Sequence, residues 1–235
     1  MAYQLYYWSG IQGRGEFVRL ALEDAGAPYD DLARTPGGDD AMLAMLRDGD
    51  AARLPFAPPF LRDGGVLVGQ TANILLYLGH RLGLAPADEA GRLWVHQLQL
   101  TVADFLAEVH DTHHPVASSR YYEDQKDAAL LRARAFREER VPKYLGYFER
   151  VLARNGGRAA GDGTTYVDLS LFQVVAGMRY AFPRTMQRVQ RDHPHLVALH
   201  DIVRARPRIA AYLASPRRIA FNQHGLFRHY PELDP

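Results

Sequence analysis

The sequence predicts an α+β chain in two parts, with mixed strand and helix first and helix alone after. Two observations carry this. Within residues 1–83, strand-like and helical stretches follow one another in the order βαβαββα. From Gly91 to about Ser215, nearly every stretch has helical periodicity and almost none alternates like a strand. The switch predicts a strand-bearing domain over 1–83 and an all-helical domain over 91–235, with a linker near 84–90.

Each element has a local reason. "YQLYYW" (3–8) is aromatic-rich and reads as a strand, broken by the glycines of "SGIQGRG". Phe17, Val18, Leu20, Ala21 and Leu22 form a helical stripe that ends at Gly26. Residues 27–34 read as a second strand and 39–47 as a short helix. "FLRDGGVLVG" reads as a β-hairpin turning at Asp63-Gly64-Gly65. Residues 71–83 read as a helix, with Thr71 as N-cap and Gly83 as the stop. Later helices are predicted at about 91–115, 123–154, 166–180, 188–204 and 207–214. Thr165-x-x-Asp168 has capping-box spacing and is read as structural. The tail "FNQHGLFRHYPELDP" has no period and is expected to wrap the surface.

Composition excludes several functions. The formal net charge is +1 over 235 residues, which makes no electrostatic case for nucleic acid or an anionic membrane. No apolar run is long enough to span a bilayer. The first residues lack a signal-peptide pattern, so the expected location is the cytoplasm. There is no cysteine, which excludes disulfides, thiolate metal sites and a cysteine nucleophile.

Pro58 and Pro59 stand where the hairpin begins. Proline lacks an N–H and fits poorly inside a sheet, whereas a cis X-Pro bond makes a sharp change of direction. A cis bond there turns the preceding backbone outward, where it can pair with an extended peptide. The helix starting at Gln70-Thr71 aims its N–H groups into the same space and attracts a carboxylate. Together these features predict a receptor for a small acidic peptide.

The same residues resemble those of a known family, the cytosolic glutathione transferases. "YYW…GRGEFVRLAL" is similar to the family's first strand and helix, and "PPFLRDGGVLVGQTANILLYLG" to its glutathione-binding hairpin and helix. "TTYVDLSL" and "RPRIAAYLASP" resemble segments of its helical domain. The resemblance covers nearly the whole chain. It implies a thioredoxin-like N-terminal domain, glutathione as co-substrate, a small electrophile as second substrate, and a homodimer. Pro59 matches the cis proline, and Gln70 and Thr71 match the pair that holds the γ-glutamyl carboxylate.

In this family a Tyr, Ser or Cys hydroxyl or thiol near the end of the first strand assists the thiol. The alignment with the tyrosine-type classes selects Tyr7, and Ser9 is the rival. A hydroxyl that donates to sulfur favours the thiolate, which is the nucleophile. Tyr6 points to the opposite strand face and is assigned to packing. Arg14 matches an arginine near the glutamyl site, against a reading as a helix-starting surface charge. Asp104 resembles an aspartate lent across the dimer, against a reading as a solvated carboxylate. The family has an aliphatic residue before the cis proline whose C=O and N–H both pair with glutathione. Pro58 keeps only the C=O. Glu108, His110, His113 and His114 lack a defined metal-ligand spacing, so no metal is predicted. The histidines are read as surface or core, with a lining of the electrophile pocket as the alternative. Tyr121, Tyr122 and Phe105 make an apolar or aromatic electrophile plausible. The rival functions are a non-catalytic scaffold of the same fold and a glutathione-dependent peroxidase.

Overall fold

The computed structural model describes residues 2–47 and 53–235. Four short strands form one sheet: β1 (Tyr3–Tyr6), β2 (Tyr29–Asp31), β3 (Phe60–Asp63) and β4 (Val66–Gly69), in the order β2-β1-β3-β4. β1 runs parallel to β2 and antiparallel to β3. Three helices pack on this sheet: α1 (Gly15–Ala25), α2 (Gly38–Arg47) and α3 (Thr71–Leu82).

Period-two alternation sorts the side chains into two layers. Leu5, Leu61 and Val68 face Val18 and Leu22 of α1 and Ile74 and Leu78 of α3. Tyr6, Phe60 and Leu67 face Met42, Met45 and Leu46 of α2 on the other side. Tyr6 is thus a packing residue, stacked on Phe60 at 4.6 Å between ring centroids. Gly26 and Gly83 end α1 and α3 in the left-handed conformation that a side chain disfavours.

From Glu89 onward the chain is helical: α4 (Glu89–Asp111), α5 (Lys126–Ala135), α6 (Val141–Arg154), α7 (Tyr166–Ala181), α8 (Pro183–Val189), α9 (Pro194–Arg204) and α10 (Pro207–Leu213). α7 is the hub and is buried along most of its length. Its start has the predicted capping box. The Thr165 N–H and hydroxyl both donate to Asp168 Oδ2 at 2.7 Å, and the Ala159 N–H donates to Oδ1 at 2.8 Å. Phe17, Leu20 and Ala21 of α1 and Leu75 of α3 join the core of the helical part, so the two parts share one apolar interior.

Four boundaries differ from expectation. The N-cap of α3 is Gln70, at φ 69°, and Thr71 is the first helical residue with no side-chain cap bond. The stretch 188–204 is two helices with a break at Asp192-His193, because Pro183 and Pro194 each sit in a first turn, where the missing N–H costs nothing. The stretch 123–154 contains a wide π turn at Phe136–Arg140, which carries Arg140 onto Glu108. α4 ends at Asp111, so His113 and His114 lie beyond it on a turn. Among the described residues no helix is long and apolar enough to cross a membrane.

Candidate active site

The sheet register gathers the predicted residues at one edge. Phe60 pairs with Tyr6 on one side and Gly69 on the other. Tyr7, Pro59 and Gln70 therefore leave the ladder together, and α3 begins beside them. The Pro58–Pro59 bond is cis. Among the described residues the Pro58 carbonyl accepts no hydrogen bond. Thr71 is 9% exposed, and its hydroxyl oxygen is buried with no partner among the described residues. A groove of about 250 Å³ lies along Pro55, Phe56, Ala57, Leu67, Gly69 and Gln70. A larger cavity of about 750 Å³, between β2 and residues 216–217, holds none of the predicted residues.

Tyr7 is buried under the turn that starts α1. The Arg14 backbone N–H donates to its hydroxyl oxygen at 2.9 Å. Gly13 has φ 44°, and a Cβ there would fall on the Tyr7 hydroxyl; a Cβ on Gly15 would meet the ring. Glycine is needed at 13 both for its conformation and for this close approach. Burial raises the Tyr7 pKa, while the Arg14 N–H and the charges of Arg14 and Arg19 pull it down. The net shift is upward, so the phenol keeps its proton at neutral pH.

Ser9 is engaged elsewhere. Its hydroxyl donates to Asp39 Oδ2 at 2.6 Å, and its N–H lies 3.3 Å from Oδ1. Asp39 sits in the first turn of α2, so this pair ties the loop after β1 to that helix. Asp104 is exposed on α4. Glu108 is held by Arg140, Arg132 and Tyr144, not by the histidines. The three histidines do meet, with ring centroids 4.8–5.1 Å apart. Burial drives His110 down to about 4 and His113 to about 3, so both are neutral at pH 7. Among the described residues no group of three or more His, Asp or Glu is placed to hold a metal ion.

The sequence reading missed Arg19. It is fully buried, and its guanidinium carbon lies 5.8 Å from the centre of the Tyr7 ring. It donates to Asp31 at 2.7 Å and reaches Glu16 and the Gln12 carbonyl oxygen at 3.4 Å. Gln12 is tied in turn to Gln173 of α7, and Glu16 to Tyr212 and Arg218. A lone charge inside the apolar run "FVRLAL" was the available signal.

A thioredoxin-like sheet joined to a helical domain, with a cis proline, a buried tyrosine and a helix N-terminus at one sheet edge, defines a two-domain α+β architecture. Residues 110–216 match the family model described as "Glutathione S-transferase, C-terminal domain". A glutathione S-transferase of Plasmodium yoelii yoelii is 23% identical and aligns over 89% of this chain and 92% of its own length. Glutathione S-transferase 1 of Ascaris suum is 27% identical, over 90% and 95%. The solved Pi-class glutathione S-transferase of Onchocerca volvulus superposes with a TM-score of 0.69 at 25% identity, over 91% of this chain and 92% of that one. Over most of its length the chain is thus similar to glutathione S-transferases, and residues 110–216 match the family's C-terminal domain.

Proposed function

We propose that this glutathione transferase activates the thiol with the Tyr7 hydroxyl and conjugates it to a small soft electrophile. One observation carries the choice of Tyr7 over Ser9. The Tyr7 oxygen already accepts from the Arg14 N–H, so its own proton is uncommitted, whereas the Ser9 proton is given to Asp39. An oxygen that accepts a hydrogen bond becomes a better donor through its O–H. Donation to sulfur favours the thiolate over the thiol, whose ordinary pKa is about 8.5.

Glutathione then lies along the Pro58 carbonyl with its γ-glutamyl carboxylate toward Gln70 and Thr71. The unpartnered Thr71 hydroxyl and the first N–H groups of α3 supply the donors. Arg14 adds positive charge beside the glutamyl end. Pro58 has no N–H, so one backbone bond is absent, a loss of about threefold to tenfold in affinity. The thiolate attacks the electrophilic carbon, a C–S bond forms, and the leaving group departs with its electron pair.

The working unit is a homodimer in the cytoplasm. Phe56 is 93% exposed, and Leu93 of α4 and Leu131 of α5 are each more than 60% exposed, which is apolar area suited to a partner. In that dimer Asp104 is offered to the glutathione amino group of the neighbouring subunit.

The test is calorimetric titration of glutathione into the protein, with ultraviolet detection of the thiolate in the complex. Micromolar-to-millimolar binding with a thiolate signal at neutral pH, lost in Tyr7→Phe, is the expected result. No binding at millimolar glutathione would favour a non-catalytic scaffold.

A further inference from the structure

Two buried amides join the sheet domain to the helical domain beside Tyr7. Gln173 of α7 is fully buried, and its Nε2 donates to Oε1 of the buried Gln12 at 2.8 Å. Gln12 Nε2 in turn donates to the Ile219 carbonyl oxygen. Gln173 Oε1 accepts from Arg218 Nη2 at 3.0 Å. We propose that Gln173, acting through Gln12, is a positioning residue that sets the turn around the Tyr7 hydroxyl, an assignment that rests on Tyr7 as the thiol donor.

The hydrogen bonds have one consistent direction. An arginine side chain only donates, and a backbone carbonyl only accepts. Arg218 at one end therefore turns the oxygen of Gln173 toward itself and leaves the Gln173 nitrogen facing Gln12. The Ile219 carbonyl at the other end claims the nitrogen of Gln12 and leaves its oxygen to Gln173. The two ends are adjacent residues, so the peptide bond between them closes a ring. Each amide is thereby fixed in orientation as well as in place. A buried amide that loses its partner bears its desolvation cost, so the ring opens only at a penalty.

The ring is held from outside as well. Arg218 Nη1 pairs with the buried Glu16, whose Oε1 also accepts from the Tyr212 hydroxyl at 2.7 Å. Beyond Ile219 the tail is anchored on the helical core rather than draped over the surface. Phe227 lies on Gly177, where a Cβ would strike its ring. Asp234 accepts from the N–H groups of Arg184 and Thr185.

Gln12 opens the turn that reaches Tyr7. Gly10, Gly13 and Gly15 crowd this stretch, and glycine leaves a backbone many conformations. Arg14, the N-cap of α1, makes no side-chain cap bond. The turn is instead pinned at its two ends. The Glu16 N–H donates to the Gln12 carbonyl oxygen at 3.0 Å, and the side chains of both residues are held by the ring and by Arg218. Between those ends, Gly13 lies against the Tyr7 hydroxyl and the Arg14 N–H donates to it. A shift of Gln12 by about 1 Å would carry that N–H out of hydrogen-bond range. The phenol proton would then be free to turn toward the loop. A residue 161 positions beyond Gln12, in the other domain, thus bears on the direction of the Tyr7 proton.

The test reads the pKa of bound glutathione by thiolate absorbance across pH. It compares the unsubstituted protein with Gln173→Met, Gln12→Met, the double variant and Tyr7→Phe. Affinity is read separately with S-methylglutathione, which has no thiol proton. Gln173→Met should lower the thiolate-to-thiol ratio at neutral pH about threefold to tenfold and leave S-methylglutathione binding unchanged. The double variant should match Gln12→Met, because Gln173 acts only through Gln12. A folded Gln173→Met protein with an unmoved thiol pKa would overturn the proposal, as would additive shifts from the two substitutions. Should Gln173→Met not fold, the double variant decides, since replacing both partners of a buried bond costs less than removing one. An unmoved thiol pKa there overturns the proposal. Tyr7→Phe separates this assignment from the one beneath it. A raised thiol pKa in Tyr7→Phe alone defeats only the role of Gln173. An unmoved pKa in Tyr7→Phe defeats Tyr7 as the thiol donor and the role of Gln173 with it.

Discussion

The Arg14 backbone N–H meets the Tyr7 hydroxyl oxygen at 2.9 Å, at the point where β1 has ended and α1 has not yet begun. A seven-residue reach of chain thus returns a donor to the phenol. This fixes the direction of the phenol proton, because the filled side of the oxygen faces the loop. The proton is left to donate outward.

Tyr7→Phe removes that donor without changing the ring that packs on Gly13 and Gly15. Loss of one such donor lowers turnover about 10²- to 10³-fold. The pKa of bound glutathione, read by thiolate absorbance, rises toward that of the free thiol. Ser9→Ala changes the thiol pKa little, since its hydroxyl is bound to Asp39. The reverse ranking of the two variants would transfer the role to Ser9.

Arg19→Met removes the buried cation beside Asp31 and one of the two beside Glu16, which keeps Arg218. Removing one partner of a buried ion pair costs about 3–5 kcal/mol. Urea unfolding of the variant should show a loss of this size. A loss under about 1 kcal/mol would mean that water reaches the cluster.

Asp168→Ala strips the acceptor from the Thr165 and Ala159 N–H groups at the start of α7. The lost cap and the two buried donors together cost about 2–4 kcal/mol. Thermal unfolding measures this directly. Since α7 lies at the centre of the core, the whole protein rather than one helix should melt earlier.

His113 makes stability fall in acid. Its folded pKa, about 3, is below the ordinary value of about 6.5, mainly through burial. Between these limits the unfolded chain binds the proton and the folded chain does not. Stability from this group is thus complete above pH 6.5 and is lost as pH falls toward 3. The loss between pH 6.5 and 5 is about 1.5 kcal/mol. Its Nε2–H donates to the Leu226 carbonyl at 3.0 Å, a bond that glutamine can replace. His113→Gln should therefore flatten the acid side of the pH–stability curve by about one proton. Identical slopes in both proteins would show that His113 is not the titrating group.

The sequence by itself determined the elements and the family resemblance. Local signals sufficed for β1, the hairpin, the Gly26 and Gly83 stops and the Thr165–Asp168 box, because each depends on residues a few positions apart. The order of "GRGEFVRLAL", the double proline and Gln70-Thr71 carried the family resemblance, which the comparisons bear out. Only the tertiary structure decided which hydroxyl is free. Ser9 and Asp39 are 30 positions apart, and nothing local links them. It also decided that Arg19 sits beneath Tyr7, and that the aperiodic tail is anchored on the helical core. Those relations arise from burial and charge pairing across the chain. A periodic pattern records which face is apolar, but not which distant group will meet it there.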